Sequence, residues 1–137
     1  MKKFLLAITL LFGAFVINAQ DLKPDAVIKV NRERHDFGKI KQGVPVTTYF
    51  EITNISDKPV ILESVTASCG CTTPEYSKEP LMAGATTKIK VGYNAAAPAH
   101  FEKDVFIKIA GVSDMKIVKI SGDVVDASAA PAPQNNV

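Results

Sequence analysis

The feature that most constrains this chain is an alternation of apolar and polar residues, repeated in separate short runs. Val46, Thr48, Phe50 and Ile52 fall on one side of such a run, and Thr47, Tyr49, Glu51 and Thr53 on the other. Successive side chains of a β-strand point to opposite faces, so this pattern belongs to a strand with one face buried and one wet. The same alternation sets Thr87, Ile89, Val91 and Tyr93 against Lys88 and Lys90. It sets Phe101, Lys103, Val105, Ile107 and Ile109 against Phe106 and Lys108. Shorter β-rich runs lie at Val27–Val30, read as an edge strand, at Val60–Thr66, and at Met115–Ser121, ended by Gly122. Phe37 and Ile40 read as anchors on either side of a turn at Gly38. Lys41-Gln42-Gly43, Asn54–Pro59 and Gly111–Asp114 supply turn chemistry between runs. Ala67–Ala85 reads as one long irregular stretch. No segment beyond the N-terminus sustains a helical period. Short strands separated by turn residues predict an all-β antiparallel sandwich of about seven strands.

The two ends read differently from the middle. Met1–Lys3 is basic, Phe4–Ile17 is almost wholly apolar, and Asn18-Ala19 precedes Gln20. This order is that of a secretory signal peptide over residues 1–19, too short in its apolar part for the ~20 residues of a membrane span. Residues 20–25 then form a leader segment, 26–125 the sandwich, and 126–137 an Ala/Pro-rich tail expected to be disordered for want of large apolar side chains. The whole chain carries 16 Lys+Arg against 14 Asp+Glu, and the excess of two is Lys2 and Lys3 of the predicted signal peptide. A neutral mature chain has no global basic field for nucleic acid. The expectation is a periplasmic or secreted protein with no membrane span after processing.

Cys69-Gly70-Cys71 is the one pattern that asks for a chemical explanation. An oxidising compartment favours a Cys69–Cys71 disulfide, and Gly70 permits the tight turn it needs. So small a ring removes little entropy from the unfolded chain, which makes the bridge a poor stabiliser. Three readings stay open: a local clamp, a redox-active pair, or a Cu(I) site in which Cys69 and Cys71 act as soft thiolate ligands. His35 and His100 show no spacing that ties them to the cysteines, and read as strand-end side chains. Glu75, Lys78 and Glu79 read as a solvated loop, and Lys88, Lys90, Lys116 and Lys119 as charges that block edge-to-edge strand pairing. Asn54-Ile55-Ser56 fits a glycosylation sequon but reads better as a turn. Nucleophile elbows, phosphate loops and metalloprotease helices are absent from the sequence.

The stretch His35–Gly43, with Phe50-Glu51-Ile52-Thr53-Asn54, resembles the opening of a secreted bacterial domain-of-unknown-function family, number fifteen seventy-three. The resemblance continues through Pro59–Leu62, Ser68-Cys69-Gly70-Cys71-Thr72, Pro74-Glu75-Tyr76 and Lys88–Val91, and so covers residues 35–109. The pattern also looks like the wider group of Ig-like domains related to cilium and centrosome proteins and to the major sperm protein. The resemblance implies an Ig-like sandwich and export, and no activity. The reading is a non-enzymatic binding or assembly module of the cell envelope, with an unknown protein or envelope partner and no cofactor. Its contact loop holds Cys69, Gly70, Cys71, Thr72 and Tyr76. The rival is a thiol-redox or Cu(I)-handling protein acting through Cys69 and Cys71.

Overall fold

A computed structural model describes residues 21–128, so the signal peptide expected at 1–19 and most of the expected tail lie outside the described residues. A 3-10 turn at Pro24–Ala26 precedes eight strands: β1 Ile28–Val30, β2 Arg34–Lys41, β3 Val46–Asn54, β4 Leu62–Ala67, β5 Thr72–Glu75, β6 Thr86–Tyr93, β7 His100–Ile109 and β8 Lys116–Val125. They form two four-stranded sheets, ordered β1-β3-β6-β5 and β2-β8-β7-β4. The predicted Ig-like sandwich is therefore the fold. All pairings are antiparallel except β2 with β8, which run parallel.

The alternation read from the sequence is the burial pattern. Val46, Thr48, Phe50 and Ile52 of β3 and Ile89, Val91 and Tyr93 of β6 face inward and are buried. Val105, Ile107 and Ile109 of β7 meet them from the other sheet, with Val118, Ile120 and Val124 of β8. Removing such side chains from water contributes roughly 1.5–3 kcal/mol each. Tyr93 and Phe101 stack across the core with centroids 3.8 Å apart, and Phe37 lies against Phe101.

Several expectations change. Gly38 (φ 65°) marks a bulge inside β2 rather than a turn, because β2 continues past it and shifts register against β8 between Asp36 and Lys39. The strand expected at Val60–Thr66 runs Leu62–Ala67, and Val60 bridges to Leu81 instead. The stretch 67–85 is not wholly irregular, since it contains β5. β8 does not stop at Gly122. It runs through to Val125, because a glycine is needed there: an added Cβ would lie 2.9 Å from the Phe101 ring and 3.0 Å from the Gly38 carbonyl oxygen. Gly122→Ala should therefore cost about 1–3 kcal/mol, the range for overpacking, measurable as a lower urea midpoint with unchanged slope. The lysines do not guard edges. Lys88 and Lys90 stand on β6 and Lys116 and Lys119 on β8, interior strands whose outer faces carry ion pairs to Glu51, Glu75, Glu33 and Asp104.

Both flanks of the sandwich are built by a segment that leaves one sheet and enters the other. On one flank β1 passes to β2. There Arg32 donates to Thr48 Oγ1 and to the Tyr49 carbonyl, each at 2.9 Å. Lys116, nearly buried, binds Asp25 at 2.6 Å and Glu33. Burial opposes its charge, but the two carboxylates outweigh burial and hold its pKa above the ordinary lysine value. On the other flank β4 passes to β5, and the crossover is Ser68-Cys69-Gly70-Cys71.

Candidate functional site

Cys69 and Cys71 are joined in a disulfide with Cα atoms 5.3 Å apart. The bond sits at the corner where β4, the edge of one sheet, becomes β5, the edge of the other. The chain there is anchored on both sides. Ser68 N donates to the Asp104 carbonyl at 3.0 Å, and Asn94 N donates to the Cys71 carbonyl at 3.0 Å. Thr72 N closes the turn onto the Cys69 carbonyl at 3.3 Å. Both cysteines are half-buried, and Cys71 packs against the core. The buried Thr72 hydroxyl lies 3.8 Å from the Cys69 sulfur and 4.0 Å from the Cys71 sulfur, within hydrogen-bonding reach of both. In the disulfide neither sulfur is a thiolate, so a Cu(I) ion would require the reduced pair. Among the described residues no cluster of three or more His, Cys, Asp or Glu side chains could hold a metal ion.

The anchoring bonds also fix which backbone groups point away from the sandwich. Opposed residues of an antiparallel pair alternate between hydrogen-bonded and non-bonded. The Asn94–Cys71 bond makes Thr73 opposite Gly92 a bonded pair, so Thr72 and Pro74 turn their backbone outward. The Thr72 N–H is already used in the turn, and Pro74 has none. The β5 edge thus offers an incoming strand no free donor, which is where a proline is tolerated in a sheet. β4 is different. The Ser68–Asp104 bond makes Thr66 opposite Phe106 a bonded pair, so Val65 and Ala67 direct both N–H and C=O outward. No strand covers them among the described residues. Tyr76 lies at the far end of this edge, its hydroxyl 3.4 Å from the Glu63 carbonyl. The predicted site residues therefore separate into two places. Cys69, Gly70, Cys71 and Thr72 stand beyond one end of β4, and Tyr76 at the other.

The remaining edges are less open. β1 has three residues. β2 is bulged and bears Arg34, Asp36, Lys39 and Lys41, with Asp36 accepting from Gly38 N at 2.8 Å. His100 bonds Asp123 at 2.8 Å, and His35 packs edge-on against Phe37, where burial, with Arg32 nearby, lowers its pKa below the ordinary value. Glu75 pairs with Lys90 at 3.5 Å. A groove of about 400 Å³ runs on the far side of the disulfide, between Thr47, Thr73, Gly92, Asn94 and Cys71. A cleft of about 540 Å³ with a mixed lining lies among Val27, Asp57, Lys58, Pro59, Val60 and Val112. Sequence reasoning did not identify β4 as an open sheet edge, because nothing local in Leu62–Ala67 says that the strand is an edge.

A family model matches residues 28–124, the sandwich almost end to end. The chain belongs to the family described as "Protein of unknown function (DUF1573)". The Cys-Gly-Cys corner of this DUF1573 chain lies inside the matched region. No curated protein matches the chain. Among solved structures it is similar to a protein of unknown function from Porphyromonas gingivalis W83, with TM-score 0.62, 17% identity, and coverage of 72% of this chain and 46% of that one. The DUF1573 chain thus spans less than half of that protein. It is similar to the ASH/PapD-like domain 7 of human CEP192, with TM-score 0.63, 11% identity, and coverage of 77% and 91%. It is also similar to WR4, a C. elegans MSP family member, with TM-score 0.54, 13% identity, and coverage of 73% and 99%. At these identities the likeness is one of fold. Among the described residues no helix is long and apolar enough to cross a membrane.

Proposed function

We propose that this DUF1573 domain is an exported, non-enzymatic module that captures an extended segment of a partner protein by pairing it to the open edge of β4. The observation that carries this is the parity of β4: Val65 and Ala67 present two outward N–H and C=O pairs, while the neighbouring β5 edge is closed by Pro74 and by the turn onto Cys69. Backbone pairing at a sheet edge is a general means of peptide recognition, with affinity from main-chain bonds and specificity from alternate side chains. Export rests on the basic-apolar-small order of residues 1–19, and a disulfide at Cys69–Cys71 suits an oxidising compartment.

The test uses peptides selected from a random ten-residue library on the immobilised, oxidised protein. In the free protein the Val65 and Ala67 amides should exchange with solvent quickly and Thr66 slowly. Saturation with a selected peptide should slow exchange at Val65 and Ala67 by at least about tenfold, since amide exchange follows local opening and solvent access. Failure to obtain any binder, or protection confined to other strands, would overturn the proposal.

A further inference from the structure

We infer that the Cys69–Cys71 disulfide is a thiol-exchange site for cysteines carried by the segment held on β4. This rests on the reading of β4 as the capture edge and adds a chemical class of partner to it: an extended segment bearing two thiols. Three observations converge. The first is position. Cys69 is two residues past Ala67, the last outward-facing residue of β4, so a strand paired along that edge and extended by ~3.3 Å per residue arrives at the disulfide.

The second is energetics. The bridge spans a sequence separation of two, so it removes little entropy from the unfolded chain and contributes little to folding. By linkage, folding then contributes equally little to keeping the bond closed. The chain is anchored on both sides of the corner by the bonds to Asp104 and Asn94, so opening the ring need not open the sandwich.

The third is a leaving-group partner. Displacement at a disulfide expels one sulfur as a thiolate, and its stability sets the rate. Thr72 Oγ1 is within reach of either sulfur, and Thr72 is buried at 4% exposure, away from competing water. Its neighbours give that hydroxyl a donor's role at the moment a thiolate forms.

The exchange balances as follows. A thiol of the docked segment loses its proton to water, and the thiolate attacks the Cys69 sulfur. The Cys69–Cys71 bond breaks as a mixed disulfide forms. The electron pair leaves on the Cys71 sulfur, accepts a hydrogen bond from Thr72, and takes a proton from water. The second thiol of the segment, also deprotonated by water, attacks its own chain's sulfur in the mixed disulfide. That step expels Cys69, which is protonated in turn. Two electrons and two protons pass from the dithiol segment to Cys69 and Cys71, and the segment leaves with a disulfide.

The test takes a library-selected peptide that protects the β4 amides and places two cysteines at the end adjoining Cys69. A scrambled peptide with the same two cysteines is the comparison. Single-turnover oxidation of each peptide by the oxidised full chain is followed by acid quench and mass. Docking supplies an effective concentration in the millimolar range, so at 10 µM the docked peptide should react on the order of 100-fold faster than the scrambled one. Thr72→Val should slow the docked reaction about tenfold with amide protection unchanged, and Thr72→Ser should restore it. Equal rates for docked and scrambled peptides, with β4 protected by the docked one, would overturn the exchange reaction and leave strand capture standing. A rate insensitive to Thr72→Val would overturn the role of that hydroxyl. Cysteine peptides that oxidise without protecting β4 would instead overturn the capture reading on which this rests.

Discussion

Asn54→Ala should lower the stability of this domain by about 3 kcal/mol, more than most substitutions of a single polar residue. Asn54 ends β3 and is completely buried. Its side-chain nitrogen donates to the carbonyls of Lys58 (2.7 Å) and Leu81 (2.9 Å). Its side-chain oxygen accepts from Ser56 N (2.9 Å) and Ser56 Oγ (2.7 Å). Its backbone joins the same segment: Asn54 N donates to the Ala85 carbonyl, and Gly84 N donates to the Asn54 carbonyl. One amide thus ties the β3–β4 turn to the strip that leads into β6. A neutral hydrogen bond contributes roughly 0.5–1.5 kcal/mol net, and a buried group left without a partner costs roughly 1–3 kcal/mol. Alanine removes four bonds. The carbonyls of Leu81 and Lys58 keep other donors in Val60 N and Ser56 Oγ, while Ser56 N loses its acceptor. The sum is a loss near 3 kcal/mol, or roughly 12–24 °C in Tm for a domain of this size. Thermal unfolding followed by far-ultraviolet circular dichroism checks it, and a shift under about 4 °C would contradict it. Ser56→Ala, which removes one of those four bonds and the Ser56 Oγ bond to the Lys58 carbonyl while keeping the bond from Ser56 N, should cost about 1 kcal/mol. The burial also explains why the Asn-Ile-Ser pattern is structural: the amide a glycan would need is inside the folded domain.

How much was legible in the sequence follows from which residues face water. β3, β6 and β7 could be read residue by residue, because each has one buried and one solvated face and alternation records the difference. β5 could not. Its inward positions are Thr72 and Pro74, and neither is a large apolar residue. β8 was read short, because a glycine looks like a terminator until the Phe101 ring that excludes a side chain at Gly122 is in place. The cysteines were conspicuous by chemistry alone. The edge beside them was not, since its openness depends on the register of β4 against β7, residues about forty apart in sequence, and no local pattern encodes that.

That register makes the sharpest prediction about recognition. Ala67→Pro should weaken binding of a β4-selected peptide by roughly 10- to 100-fold while leaving the fold nearly intact. The Ala67 N–H points outward, so proline there removes no bond to β7. It removes a donor from the capture edge and puts a ring in the path of the incoming strand. The partner carbonyl left unpaired costs roughly 1–3 kcal/mol, and each 1.4 kcal/mol is about tenfold in Kd. One residue away the expectation inverts. The Thr66 backbone is bonded to Phe106, so Thr66→Pro breaks the ladder and should destabilise the domain by roughly 1–3 kcal/mol, the cost of a buried carbonyl left without its donor. Calorimetric titration of the peptide, with urea unfolding of each variant, separates the two effects. Equal loss of affinity and stability at both positions would mean that the edge is not read by its backbone. Pro74→Thr supplies the converse, because β5 lacks a free donor only through that proline and the Thr72 turn. Restoring an N–H at residue 74 should create a second, weaker site for the same peptide on the other sheet. Under the proposed capture reading, closing one of two neighbouring edges with proline and leaving the other open beside a disulfide directs an incoming strand to β4.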